Sequence, residues 1–196
     1  MKRLGILGLA ALLVLAVSSF ASAANYIGVG IGMVGAEEGG SSGADRGIIG
    51  TLSADFDLMD KLTLSGHGYV EYKNATTVGL TDGAQPTFGY LVEGYVKYAL
   101  ANFDTLKVGA AAGVMYNSEF APASETGFDY GVGAFAEQAL GDAGTIFAQG
   151  TYWLQSQEFG GLGGVKFGIT EKIAVKGQIE YVNQHTLFSI GAGYQF

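Results

Sequence analysis

The sequence predicts an all-β fold, a closed antiparallel up-and-down barrel whose strands cross a membrane. Three observations predict it. Hydrophobic residues make up 48% of the 196-residue chain and glycines number 33, yet no second long apolar run follows the N-terminal one. The apolar residues alternate instead with small or polar ones, the pattern of a transmembrane strand rather than a transmembrane helix. Connections between the alternating segments are tight on one side and longer on the other, as in membrane barrels.

The N-terminus reads as a targeting segment. Lys2 and Arg3 precede an apolar stretch from Leu4 to Val17 and then Phe20-Ala21-Ser22-Ala23. This charged, apolar and small-residue order is that of a secretory signal cleaved after Ala23. The expected organisation is therefore a signal peptide at 1–23 and one barrel domain at 24–196. A retained membrane helix is the competing reading, since Leu4 to Ala24 approaches the required length. The small-residue site and the alternation that begins at once favour cleavage.

Composition narrows the function classes. The formal net charge is −8, and the leader carries two cations and none of the 18 acids, so the mature chain is more acidic still. An acidic chain without a Lys/Arg cluster excludes nucleic acid as a partner. Cysteine is absent. There is thus no disulfide framework, no thiolate metal site and no acylated lipoprotein cysteine.

Ten segments follow in order. The first, Tyr26 to Val34, sets Ile27, Val29, Ile31 and Met33 against Gly28, Gly30 and Gly32. The second, Ile48 to Leu58, sets Leu52, Ala54, Phe56 and Leu58 against Thr51, Ser53, Asp55 and Asp57. The third, Leu62 to Tyr72, opposes Leu62, Leu64, Val70 and Tyr72 to Thr63, Ser65, His67 and Glu71. The fourth, Phe88 to Leu100, opposes its apolar series to Glu93, Tyr95 and Lys97, and the fifth begins at Leu106 and opposes its own to Lys107 and glycines. The sixth, Phe128 to Leu140, places Asp129 and Glu137 opposite Tyr130 and Val132, with Phe135 breaking the pattern. The seventh, Thr145 to Leu154, is the least regular, because Phe147 and Trp153 share a face with Gln149 and Thr151. The eighth runs from Gly161 to Ile169 and the ninth from Ile173 to Asn183. The tenth ends the chain with Phe188, Ile190, Ala192, Tyr194 and Phe196 facing outward.

Tight connections are expected at 59–61, 101–104, 141–144 and 170–172, and longer ones at 35–46, 73–87, 117–127 and 155–160. Aromatic residues give an independent check, because they gather at the two membrane interfaces. Tyr72, Phe88, Tyr90, Tyr116, Phe128, Tyr130, Tyr152, Tyr181 and Phe188 fall at loop-side ends, and Phe56, Tyr98, Tyr194 and Phe196 at turn-side ends. A soluble sandwich or lipocalin-like barrel also alternates. It would carry its charge outside, whereas here the face opposite the greasy one is rich in glycine, serine and threonine.

The signal ending Ala21-Ser22-Ala23, the opening strand Tyr26-Ile27-Gly28-Val29-Gly30-Ile31-Gly32 and the terminal Gly191-Ala192-Gly193-Tyr194-Gln195-Phe196 resemble the small outer-membrane β-barrel proteins of the OmpA-like, OmpX-like and opacity-protein type, the porin-family barrels of Gram-negative bacteria. The resemblance spans the mature chain as a pattern. It implies an integral place in the cell outer membrane, among its lipid and lipopolysaccharide. It also implies biogenesis through periplasmic chaperones and the barrel-assembly machinery, with Phe196 as the assembly signal, and a monomeric state. Those families usually have eight strands. Eight are recovered here only if two segments, the seventh and eighth, are extramembrane; ten is preferred because each segment can hold the roughly 9–11 residues a tilted strand needs.

The lumen face collects Asp55, Asp57, His67, Glu71, Glu93, Lys97, Lys107, Glu137, Lys166, Lys176 and Glu180. In a narrow bore these charges are expected to pair and plug it, because an unpaired buried charge is costly. The alternative is a polar lining for ions or small solutes. Enzymes, including proteases and lipid-A acylation enzymes, occur on such barrels, but here only His67 and His185 could serve as a base, and Ser189 falls inside the barrel with no acid near in sequence to orient His185. No catalytic, cofactor or metal site is therefore expected. The alternating glycines of the first strand precede no helix and are not a dinucleotide fingerprint. The expected role is structural or surface-interacting with a charge-plugged lumen; a small pore is the alternative and a lipid-modifying enzyme the remoter one.

Overall fold

A computed structural model describes residues 25–35, 47–73, 87–118, 127–182 and 185–196. Among these lie ten strands: β1 (Tyr26–Val34), β2 (Ile48–Met59), β3 (Leu62–Lys73), β4 (Thr87–Phe103), β5 (Leu106–Ser118), β6 (Gly127–Ala139), β7 (Gly144–Trp153), β8 (Glu158–Gly168), β9 (Ile173–Val182) and β10 (His185–Gln195). Each pairs antiparallel with the next, and β1 pairs with β10 from Tyr26↔Gln195 to Val34↔Leu187, closing the sheet. Closure removes both edges, so every strand satisfies its backbone groups on two sides, as a span through hydrocarbon requires. Asn25 and Phe196 extend this seam with reciprocal backbone bonds of 3.2 and 3.1 Å. The signal assigned to 1–23 lies outside the described residues.

Ten strands, not eight, therefore form the wall, with the seventh and eighth segments paired over ten positions from Gly144↔Phe167 to Trp153↔Glu158. Two boundaries move from their expected places for identifiable reasons. A bulge between Ala99 and Ala101 absorbs one residue of β4, so the strand runs on to Phe103 and the turn shrinks to Asp104-Thr105, with Asp104 at φ 41°. The connection expected at 155–160 is a turn at 154–157 held by one side chain. Asp129 Oδ1 accepts from the Tyr130 and Gln155 amides at 2.7 and 2.8 Å, and its Oδ2 accepts from the Ser156 amide at 3.0 Å. β8 accordingly starts at Glu158.

Side chains alternate between the two faces along every strand. The outer face is apolar and open: Val29, Ile31, Leu100 and Ile190 are each 59% exposed or more. Aromatic pairs line its loop-side rim, with ring centroids 5.5 Å apart for Tyr72 and Phe88, 4.7 Å for Tyr116 and Phe128, and 4.9 Å for Tyr152 and Phe159. At the turn-side rim Tyr194 stacks on Phe196 at 6.0 Å. Phe56 keeps the outward register expected of that lower belt, paired with Leu64 between the inward Asp55 and Asp57, though its neighbours cover it to 8% exposure. Water would not tolerate so continuous an apolar wall, and lipid satisfies it.

Candidate functional site

The inward positions of the strands make two different interiors, one above the other. Both are shaped by inward rings that lie over glycines of neighbouring strands. A Cβ at Gly113 would come within 2.6 Å of the Tyr95 ring, one at Gly109 within 2.7 Å of Phe135, one at Gly131 within 2.8 Å of Trp153, and one at Gly164 within 2.6 Å of Phe147. These glycines are spaces the rings occupy, which is why small and bulky residues mix on the lumen face.

The loop-side half is filled. Val34, Ile49, Tyr69, Leu91, Tyr95, Met115, Trp153, Val182 and Leu187 form one buried cluster across the bore, none more than 6% exposed. Trp153, 1% exposed, packs against Tyr95 with centroids 6.1 Å apart. Beneath them the Tyr69 hydroxyl donates to Glu180 Oε2 and accepts from Gln178 Nε2 at 2.7 Å. Glu93 and Glu180 are both 3% exposed at this level.

The turn-side half is a vestibule. A cavity of about 360 Å³ opens toward the tight turns, its wall carrying Asp55, Lys97, Lys107, Glu137, Lys166 and Lys176, with His67 at the inner end. Lys97 Nζ lies 3.5 Å from Glu137 Oε1, and Lys176 Nζ 3.6 Å from Asp55 Oδ2. Asp57 accepts from the Thr63 hydroxyl at 2.5 Å. Lys166 and Lys176 stand directly opposite one another on β8 and β9 and share the Tyr26 ring, their Nζ atoms 5.5 and 5.9 Å from its centroid. A second ring, Phe147, lies 5.0 Å from Lys176 Nζ.

The charged residues singled out in the sequence thus separate by height. Asp55, His67, Lys97, Lys107, Glu137, Lys166 and Lys176 face the vestibule, Glu93 and Glu180 lie at the base of the filled half, and Glu71 is buried higher in β3. Sequence reasoning missed the apolar filling. Its signal was present in the residues that broke the alternation: Phe135, Phe147 and Trp153, together with Ile49, Tyr69, Leu91 and Leu187, all at inward positions. His185 is buried, and Ser189 sits on the same strand four residues on, a separation of about 13 Å along an extended chain. The two are out of hydrogen-bond reach. Among the described residues no cluster of three His, Cys, Asp or Glu side chains could hold a metal ion, and no helix is long and apolar enough to cross a membrane.

Comparison with solved structures matches the whole barrel. The chain aligns with an outer membrane channel from Pseudomonas putida F1 at 10% identity and TM-score 0.50, covering 90% of this chain and 97% of that one. The fold is that of the small outer-membrane β-barrels. The barrel also aligns with the KdgM porin at 9% identity and TM-score 0.49, covering 88% and 99% of the two chains. A third match is Ail, the attachment invasion locus protein of Yersinia pestis, at 11% identity and TM-score 0.45, covering 88% and 98%. No protein-family model matches the chain, and no curated protein does. With its apolar wall and aromatic rims the barrel is an integral outer-membrane protein.

Proposed function

We propose that this barrel does not conduct and acts through its surfaces, in a structural or surface-interaction role. The observation that carries the reading is the filled loop-side half, where nine buried side chains span the bore with Trp153 and Tyr95 among them. A path for hydrated ions needs polar lining along its whole length. Here the bore beyond His67 is packed shut, and the polar side chains among that packing, Glu71, Glu93 and Glu180, are themselves buried. The distance between His185 and Ser189 supports a role without acyl-transfer chemistry, since nucleophile and base must lie within hydrogen-bond reach. A small pore is the second reading, favoured by the charges of both signs around the vestibule. Conductance in planar bilayers decides between them. The wild type is expected to give no stable open state, and a Trp153→Ala, Leu91→Ala double variant to give intermittent openings. A large, stable, ohmic conductance in the wild type would overturn the proposal.

A further inference from the structure

We infer that the turn-side vestibule is a binding site for a small molecule bearing an oxyanion, a phosphate or a carboxylate, held by Lys166 and Lys176 with His67 at the inner end. The volume comes first. A cavity of about 360 Å³ lies within the range of small-ligand pockets, roughly 300–1,000 Å³. It is closed at one end by the buried cluster and entered from the turns, so a ligand reaches it without crossing the barrel.

The charges come second. The carboxylates deep in the cavity are engaged: Asp55 with Lys176, Glu137 with Lys97, and Asp57 with the Thr63 hydroxyl. Four lysines and four carboxylates line the cavity, but they are not all matched. Lys166 has no carboxylate within ion-pair distance among the described residues, and it faces a second lysine across the ladder. Like charges directly opposite each other destabilise a sheet. A bound anion between them removes that repulsion, and the flanking Tyr26 and Phe147 rings shield it from competing water.

The third observation is independent of the lysines. His67 is 3% exposed and lines the cavity, and neither of its ring nitrogens makes a hydrogen bond among the described residues. Glu93, its cross-strand partner, does not supply one. Buried polar groups are nearly always satisfied, so an orphan of this kind facing a cavity marks the place of an acceptor or donor from outside the chain. An oxyanion accepting from the Lys166 ammonium and from an imidazole N–H, and sharing Lys176 with Asp55, satisfies the unmatched lysine and the orphan histidine together.

The test uses the full mature barrel in lipid nanodiscs, with histidine side chains labelled with nitrogen-15. It is titrated separately with inorganic phosphate, succinate and chloride at matched ionic strength. Phosphate or succinate is expected to shift the His67 resonances saturably while His185 stays still and chloride does nothing; which of the two acts identifies the headgroup. Lys166→Gln is expected to weaken the apparent affinity by about tenfold or more, Lys166→Arg to retain it, and Lys61→Gln, on an exposed turn, to leave it unchanged. His67 signals that stay fixed, or that drift linearly and equally in all three salts, would overturn the inference. So would a folded Lys166→Gln barrel that titrates as the wild type does. Should that variant not fold, the three-salt comparison on the wild type decides alone.

Discussion

The two halves of the lumen are built by the same ten strands, with the same alternation, and yet one is packed like a protein core and the other is a charged cavity. The loop-side half buries Trp153, Tyr69, Ile49, Leu91 and Leu187 at 1% exposure or less. The turn-side half keeps its lysines and carboxylates beside open space. Strand geometry decides only which residues point inward. What fills the bore is decided by how inward rings and glycines are distributed along it, and where ion pairs replace them the bore stays hollow.

The largest expected difference between the halves comes from truncating their rings. Trp153→Ala should cost about 3–5 kcal/mol, the range for deleting a buried aromatic side chain. Phe147→Ala, beside the vestibule, should cost markedly less, because its ring is only partly buried and water can enter the gap. Urea unfolding in detergent or lipid vesicles measures both. Equal costs would erase the distinction between a packed and a hollow half.

Next come the glycines. Gly113→Ala puts a methyl against Tyr95 and should destabilise by about 1–3 kcal/mol, as overpacking does. On the outer wall a Cβ at Gly150 would meet nothing within 4 Å, so Gly150→Ala should be neutral or stabilise by up to about 1 kcal/mol through the unfolded chain. The same unfolding measurement separates them, and reversed signs would break the argument that inward glycines are spaces for rings.

Ion pairs should matter less than packing. Asp55→Asn leaves Lys176 without its partner, at a cost of roughly 1–3 kcal/mol for an unsatisfied buried group, and Lys176→Met in the same chain should recover part of the loss. A double-mutant cycle reads the coupling. Asp129→Ala frees the turn at 154–157 and should cost about 1 kcal/mol, in proportion to the hydrogen bonds lost, with proteolysis at that turn as a second readout. Comparable in stability is deletion of Phe196, which removes a half-exposed ring stacked on Tyr194 and the two backbone bonds to Asn25. The outer-membrane amount in cells should fall while refolding in vitro persists, if the assembly role implied by the family resemblance holds.

Most of the wall was legible in the sequence. β1 has the bounds its alternation predicts, and ten strands follow because alternation and turn residues are local signals. Bulges and turn clamps are not local. The Ala99/Ala101 bulge depends on pairing with β5, and the hold of Asp129 on Gln155 and Ser156 joins residues 26 and 27 positions apart. The site was legible as a set of inward charges, though not as two levels. Height along the bore depends on the stagger between strands, which sets Lys166 opposite Lys176 and His67 opposite Glu93. No single strand carries that stagger in its own sequence.

A closed loop-side half above an open vestibule can be read out by cysteine accessibility, because the natural chain has no cysteine. Single variants Thr145→Cys, in the vestibule wall, and Met115→Cys, in the buried cluster, are placed in nanodiscs and exposed to a small charged thiol reagent. Rapid labelling is expected at 145, with protection at 115 until the barrel is unfolded. Rapid labelling at both positions in the folded barrel would refute the division of the lumen into a packed half and a hollow one.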